Sequence, residues 1–225
     1  MVVFIIMLIA GAVLYFKFSA DPKELRERSK GRSAEQRQAL RYFFNDGCLQ
    51  KKVSDETYDA MVEARIKSLN AKAKAMAKIG LDESELKEIE PVHFEGYCFE
   101  QKKTYSKRGK DGKWRSSAYQ ISWLFFSVTQ VYLYQYTFNM DEDGKKEATE
   151  EYFYKDITNF STSSDTVETP YWDAKQKKVL LENVDRNRFS LVVPGDKFYC
   201  SMVQNEYTER AIQGMKAKLR EKKNG

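Results

Sequence analysis

The spacing of apolar residues changes at Pro91. Before it they recur at every third or fourth position, as on one face of a helix; after it they alternate with a period of two, as on a pleated strand. Proline lacks a backbone donor and disfavours helix at Glu90, so the change of period is also a change of element type. The chain is therefore α+β, helices first and strands second. Its 225 residues suffice for one ordinary domain with additions, or for two small ones.

In the second part Val92, Phe94 and Cys98 alternate with His93, Glu95, Tyr97 and Phe99, "KRGKDGKWR" makes a polar turn, and Tyr119, Ile121, Trp123 and Phe125 form the next run. From Val131 to Phe138 one face carries Tyr132, Tyr134, Tyr136 and Phe138, the other Val131, Leu133, Gln135 and Thr137. After the turn "MDEDGKK", the aromatic stretch "EEYFYKDITNF" supplies another strand, and Lys155-Asp156-Ile157 opens the one after it. Further strands are expected around Val179–Leu181, Phe189–Val193 and Phe198–Met202, the last two joined through Pro194-Gly195. Asn205 then caps a closing helix with Tyr207, Ile212, Met215 and Leu219 on one face. About seven antiparallel strands and a terminal helix result, with a core of their own that folds without the rest.

In the first part Ser33 and Gln36 form a capping box opening a helix that Gly47 closes, with Leu40, Phe43 and Phe44 on one face. A second helix starts at Ser54-Asp55-Glu56. Its Val62, Ile66, Leu69, Ala73 and Met76 step by four and three, the pattern of a packing seam. Two partners fit: the first helix, giving a hairpin, or a second copy of the chain, giving a homodimer through Val62, Ile66, Leu69 and Met76. Fewer than three heptads favour the hairpin. Asp82 with Glu85 caps one further short helix carrying Leu86 and Ile89.

Val2 to Phe16 is uncharged and, at 1.5 Å per residue, reaches about 22 Å, so that with Lys17 snorkelling and Phe18 added it is expected to span a bilayer as an uncleaved anchor. A cleaved signal is the competing reading, but no basic stretch precedes the apolar run. Lys17, Lys23, Arg26, Arg28, Lys30 and Arg32 follow it, which places the bulk of the chain in the cytoplasm, on a single-pass protein of the cell membrane. The expected organisation is an anchor over 1–18, a basic linker over 19–33, a helical hairpin region over 34–90 and a strand-rich domain over 91–225.

Three cysteines, Cys48, Cys98 and Cys200, are odd in number and far apart, so neither a zinc site nor a disulfide framework is indicated. There is one histidine, His93, and no P-loop, G-x-G-x-x-G or H-E-x-x-H. Ser161, Ser163 and Ser164 lack a G-x-S-x-G elbow. The reading is a non-enzyme with no cofactor and no metal. A net charge of +5 spread among 33 acids does not indicate nucleic acid, and the tyrosine stripe is assigned to the core rather than to base stacking.

Over roughly Val92 to Lys223, "TQVYLYQYTF", "EEYFYKDITNF", "RFSLVVPGDKFYCSM" and "AIQGMKAKLREKK", in that order, resemble the pleckstrin-homology-like fold in its bacterial, GRAM-like versions. The resemblance implies a sheet sandwich or partial barrel plugged by the final helix. "LRYFFNDG" followed by "VSDETYDAMVEARIKSL" is similar to the bacterial SHOCT hairpin, with the insert from Cys48 to Lys52 departing from its pattern. In "KKTYSKRGKDGKWRS", Lys103, Lys113 and Arg115 match the basic loop with which such domains bind phosphoinositides, although Ser117 stands where a hydrophobic residue usually follows. The likeness implies an anionic-group site at these three residues. The function expected is that of a membrane-anchored, cytoplasm-facing, non-catalytic binding or scaffolding module with a protein partner. Sensing of an anionic lipid or phosphate head group is the first alternative, and an enzyme with an unrecognised site is another.

Overall fold

The computed structural model describes residues 22–44, 52–82, 84, 86, 89–100 and 104–224. Among the described residues four helices lead: α1 (Lys23–Arg28), α2 (Ala34–Phe44), α3 (Asp55–Leu69) and α4 (Ala71–Ile79). Nine strands follow among the described residues: β1 (Val92–Cys98), β2 (Ser106–Arg108), β3 (Trp114–Ser116), β4 (Ala118–Phe126), β5 (Gln130–Asn139), β6 (Lys145–Phe153), β7 (Asn159–Asp173), β8 (Lys178–Val193) and β9 (Asp196–Ser201). The last helix is α5 (Glu206–Asn224). One sheet has the order β1-β4-β5-β6 and is antiparallel; the other has the order β3-β2-β7-β8-β9. Its one parallel step sets Ser106 opposite Tyr171.

The period of two in β4 and β5 decides the layering. Tyr119, Ile121, Phe125, Tyr134, Tyr136 and Phe138 face one side and join a core with Leu40, Phe43, Phe44, Tyr58 and Val62 of the helices. Leu124, Phe126, Val131 and Leu133 face the other side and meet Phe160, Phe189, Leu191 and Cys200 of the second sheet, with Ile212, Met215 and Leu219 of α5. The central strands β4 and β5 are thus buried on both faces, between the helices on one side and the second sheet with α5 on the other, while β6 stays largely exposed.

The helix signals are local chemistry. Ser33 N–H donates to Gln36 Oε1 at 2.9 Å while Gln36 N–H donates to Ser33 Oγ at 3.1 Å, a reciprocal capping box. Ser54 Oγ accepts from Thr57 N–H at 3.2 Å, and Asn205 Oδ1 accepts from Thr208 N–H at 2.9 Å. Asn70 sits at φ 44°, in the left-handed region, and divides α3 from α4. The expected seam is therefore not one straight helix. Val62 and Leu69 are buried in the helix–sheet core, and Ile66 and Met76 are packed against it within the chain.

Four expectations are corrected. The strands number nine in two sheets rather than about seven. Val179–Leu181 and Phe189–Val193 belong to one strand, β8, and the Ser/Thr tract at 161–166 lies inside β7. The strand-rich half shares its outer core with the helices instead of owning all of its core. No helix among the described residues is long and apolar enough to cross a membrane. The anchor expected over Val2–Phe16 lies outside the described residues, and single-pass placement in the cell membrane with a cytoplasmic domain is not retained. Gly47, Cys48 and Glu85 also lie outside them.

Candidate functional site

The β2–β3 hairpin carries the basic residues singled out in the sequence. Lys103 lies outside the described residues. Arg115, on β3, is only 5% exposed. Its Nε and Nη2 donate to the two carboxylate oxygens of Asp59, each at 2.7 Å, and Nη1 and Nη2 donate to those of Asp111, each at 3.0 Å. Two bidentate carboxylates take four of the guanidinium's five donors, and Nη1 also donates to Lys113 O at 3.4 Å. Hydrogen bonds to Asp59 and Asp111 raise Arg115 above its ordinary pKa, and the same bonds hold both carboxyls below the usual carboxylate range. The structure thus gives Arg115 an internal role, joining the hairpin to α3.

One helical turn before Asp59, Asp55 completes the joint. Its Oδ1 accepts from Tyr42 Oη at 2.9 Å and its Oδ2 from the Lys110 backbone N–H at 2.7 Å. Tyr97 Oη donates to Asp59 at 3.0 Å, and burial pushes the Tyr42 and Tyr97 phenols well above their ordinary range. Gly109 is required here, because a Cβ would collide with the side chains of Arg115, Asp111 and Asp55.

Beyond this joint a cleft of about 1050 Å³ opens between the β2–β3 hairpin, the outer half of the β7–β8 ribbon, β1 and the segment 202–204. Arg108 and Lys113 line one end, and both are exposed. Arg108 Nε donates to Gly112 O at 3.1 Å within the hairpin. Neither residue is ion-paired with a carboxylate among the described residues, in contrast to Arg115. Trp114 and Tyr171 meet edge to face at 6.3 Å, and Trp172, beside them, contacts Phe44 at 5.6 Å. Farther along, Arg186 pairs with Glu100 and with Asp165 at 2.9 Å, which fixes the end of β1 against the ribbon.

No group of three or more His, Cys, Asp or Glu among the described residues could hold a metal ion. His93 Nδ1 lies 3.1 Å from Tyr207 Oη and its ring stacks on Trp123 at 4.9 Å, so it ties β1 to α5 outside the cleft. Burial pushes the Cys98 thiol up to about 11 and the Cys200 thiol up to about 12, which leaves neither as a thiolate near neutral pH. Ser161 lies 2.8 Å from Ser190 across the ribbon, with no base beside it. The sequence reading missed Arg108, Tyr171 and Trp172. The i, i+4 pair Asp55 and Asp59, two carboxylates on one face of a helix, is the signal that a cation from elsewhere is held there.

Compared with known protein families, curated proteins and solved structures, the chain matches none. Nothing in these comparisons names a pleckstrin-homology, GRAM or SHOCT domain, and no ligand or residue role is carried over from those families.

Proposed function

We propose that the chain is a non-catalytic binding module whose cleft takes an acidic segment of a partner protein. The observation that carries the reading is the pairing, at one end of an open cleft, of Arg108 and Lys113 with an aromatic wall of Trp114, Tyr171 and Trp172. Planar aromatic and guanidinium surfaces supply contact area at low entropic cost, and unpaired cations select for negative charge. The mixed lining, with Glu182 and Asp185 along the floor, suits a polypeptide better than a compact anion, which would want its cations gathered.

Two of the three tryptophans line the cleft, so binding has an intrinsic optical readout. Titration of the full chain with a short Glu-rich peptide should change tryptophan fluorescence, with an affinity that falls as salt rises. A Lys-rich peptide should leave the signal flat. Arg108→Gln with Lys113→Gln should weaken the Glu-rich peptide about tenfold or more without lowering the melting temperature, since both side chains are exposed. Equal responses to the two peptides, or none, would remove the reading; a response to inorganic phosphate alone would replace it with a small-anion site.

A further inference from the structure

We propose that the partner segment binds as an added β-strand along the open edge of β8, its acidic end at the β2–β3 hairpin. The inference rests on the cleft reading above and assigns its mode. β8 runs from Lys178 to Val193, but β9 pairs with it only over Arg188–Val193. The final rung is Met202 N–H donating to Asn187 O at 3.0 Å; the chain then turns away, and Val203 N–H donates to Glu95 O at 3.1 Å on β1. Gly96 permits this departure, because a Cβ there would press on the Met202 backbone at 3.3 Å.

The strand continues past that rung for nine residues, about 30 Å of backbone at ~3.3 Å per residue. β7 holds its other side in unbroken register, from Asp173 opposite Lys178 to Ser164 opposite Asn187. Because peptide groups alternate in direction along a strand, and those of Asn187 face the β9 side, those of Asp185, Asn183 and Leu181 face it too. No strand among the described residues pairs with them there. Asn183 and Asp185 line the cleft together with Glu182, Arg186 and Asn187. Near-consecutive residues of one strand, pointing to both of its faces, line a single cleft only around that strand's edge.

An edge of this kind offers main-chain hydrogen bonds to an extended peptide, with side-chain pockets on alternate sides supplying selectivity. Charge sets the peptide's polarity: Ser106 pairs with Tyr171, which opposes Leu180, so the hairpin cations Arg108 and Lys113 lie across β7 toward the Leu180 end of the cleft, and Glu182 and Asp185 disfavour acid along the β8 edge itself. Lys175, Lys177 and Lys178 crowd the ribbon tip, the device by which exposed edges resist pairing with copies of themselves.

The test uses the full chain and a synthetic peptide of alternating Val and Thr with an Asp/Glu tail, together with two twins N-methylated at every odd or every even position. The parent peptide and one twin should bind, while the other twin should lose about tenfold or more, because only one phase directs its amides at β8. The amides of Asn183 and Asp185 should gain exchange protection with the parent peptide. Asn183→Pro, which removes an outward-facing N–H, should lower the affinity while Asn183→Ala does not, at a melting temperature that shows the fold intact. Equal binding by both twins, or a fluorescence response without protection at these amides, overturns strand addition and leaves the cleft reading standing. Silence with every peptide overturns both. Protection that grows with protein concentration in the absence of peptide puts a second copy on the edge and also overturns the proposal.

Discussion

The two faces of the first sheet are buried by different chemistry. The inner face meets the second sheet and α5 chiefly through Leu, Val, Ile, Phe, Met and Cys side chains and the ring of Tyr154, with two glutamines bonding the backbone of β9: Gln135 Nε2 donates to Tyr199 O at 2.8 Å and Gln120 Oε1 accepts from Ser201 N–H at 2.7 Å. The outer face meets the helices through tyrosines whose hydroxyls are spoken for: Tyr58 Oη of α3 donates to Ser116 O at 2.8 Å, Tyr97 Oη to Asp59 at 3.0 Å, and Tyr134 Oη at 2.8 Å to Glu147 of β6, which Lys78 of α4 pairs with at 2.9 Å. Tyr42 and Tyr58 stack with ring centroids 4.3 Å apart. Apolar packing is non-directional and accepts repacking, whereas hydrogen-bonded aromatics fix one docking geometry. The inner face makes the sandwich; the outer face decides how the helices sit on it.

The largest effect should come from removing the outer layer altogether. A fragment spanning 92–225 exposes Tyr119, Ile121, Phe125, Tyr134, Tyr136 and Phe138 as one apolar face, so it should be insoluble, or should bind a hydrophobic dye and melt without cooperativity. A sharp melting transition from a monomeric fragment would show that the helices are an accessory to the sandwich. A single oxygen atom offers a finer comparison. Tyr58→Phe leaves the buried Ser116 carbonyl without its donor and should cost about 1–3 kcal/mol in urea unfolding. Leu133→Met, on the inner face, should cost less than about 1.5 kcal/mol. The reverse order would erase the distinction.

The smallest expected effect concerns Asp141, which is 3% exposed in the β5–β6 turn with Oδ1 unpartnered. Burial pushes its carboxyl up to about 6, offset in part by a hydrogen bond with Ser117. The unfolded value is about 3.9, so the folded state holds this proton more tightly than the unfolded chain does. The stability contributed is fully present below about pH 4 and is lost as pH rises through about 6. Asp141→Asn should therefore raise the melting temperature by about 2–4 °C near pH ~7.5 and change it little near pH ~4. A shift of the same size at both pH values would mean that packing, not ionisation, sets the effect.

Where apolar and polar residues alternate, the elements were legible in the sequence. β1 ends at Cys98, one residue short of the expected run, the aromatic stripe of β5 faces a core, and the Ser33, Ser54 and Asn205 caps form as their side chains dictate. Apart from Val179–Leu181, the outer half of the β7–β8 ribbon was not legible, because both of its faces are largely solvated. Ser163, Ser164, Thr166 and Glu168 oppose Arg188, Asn187, Asp185 and Asn183, so polar residues alternate with polar ones and no hydrophobic period marks the strand. The same blindness hid most of the cleft. Lys113 was identified as a basic hairpin residue, but spacing alone does not distinguish it from Arg115, two residues on. That distinction depends on Asp59, 56 residues away in sequence, and on the packing that brings α3 to the hairpin.

The joint at Asp55 and Asp59 ties a wall of the cleft to a helix that no ligand in the cleft would touch. Thermodynamic reciprocity follows from that tie. Whatever loosens α3 must also loosen the hairpin that presents Arg108, Lys113 and Trp114, and whatever occupies the cleft must in equal measure resist the opening of α3. At a free ligand concentration of about one hundred times Kd, that resistance reaches about 2.7 kcal/mol where the open form of α3 binds no ligand, and less where it keeps some affinity. Helix α3 would then report cleft occupancy from a distance, slowing its own amide exchange in step with a partner it never meets.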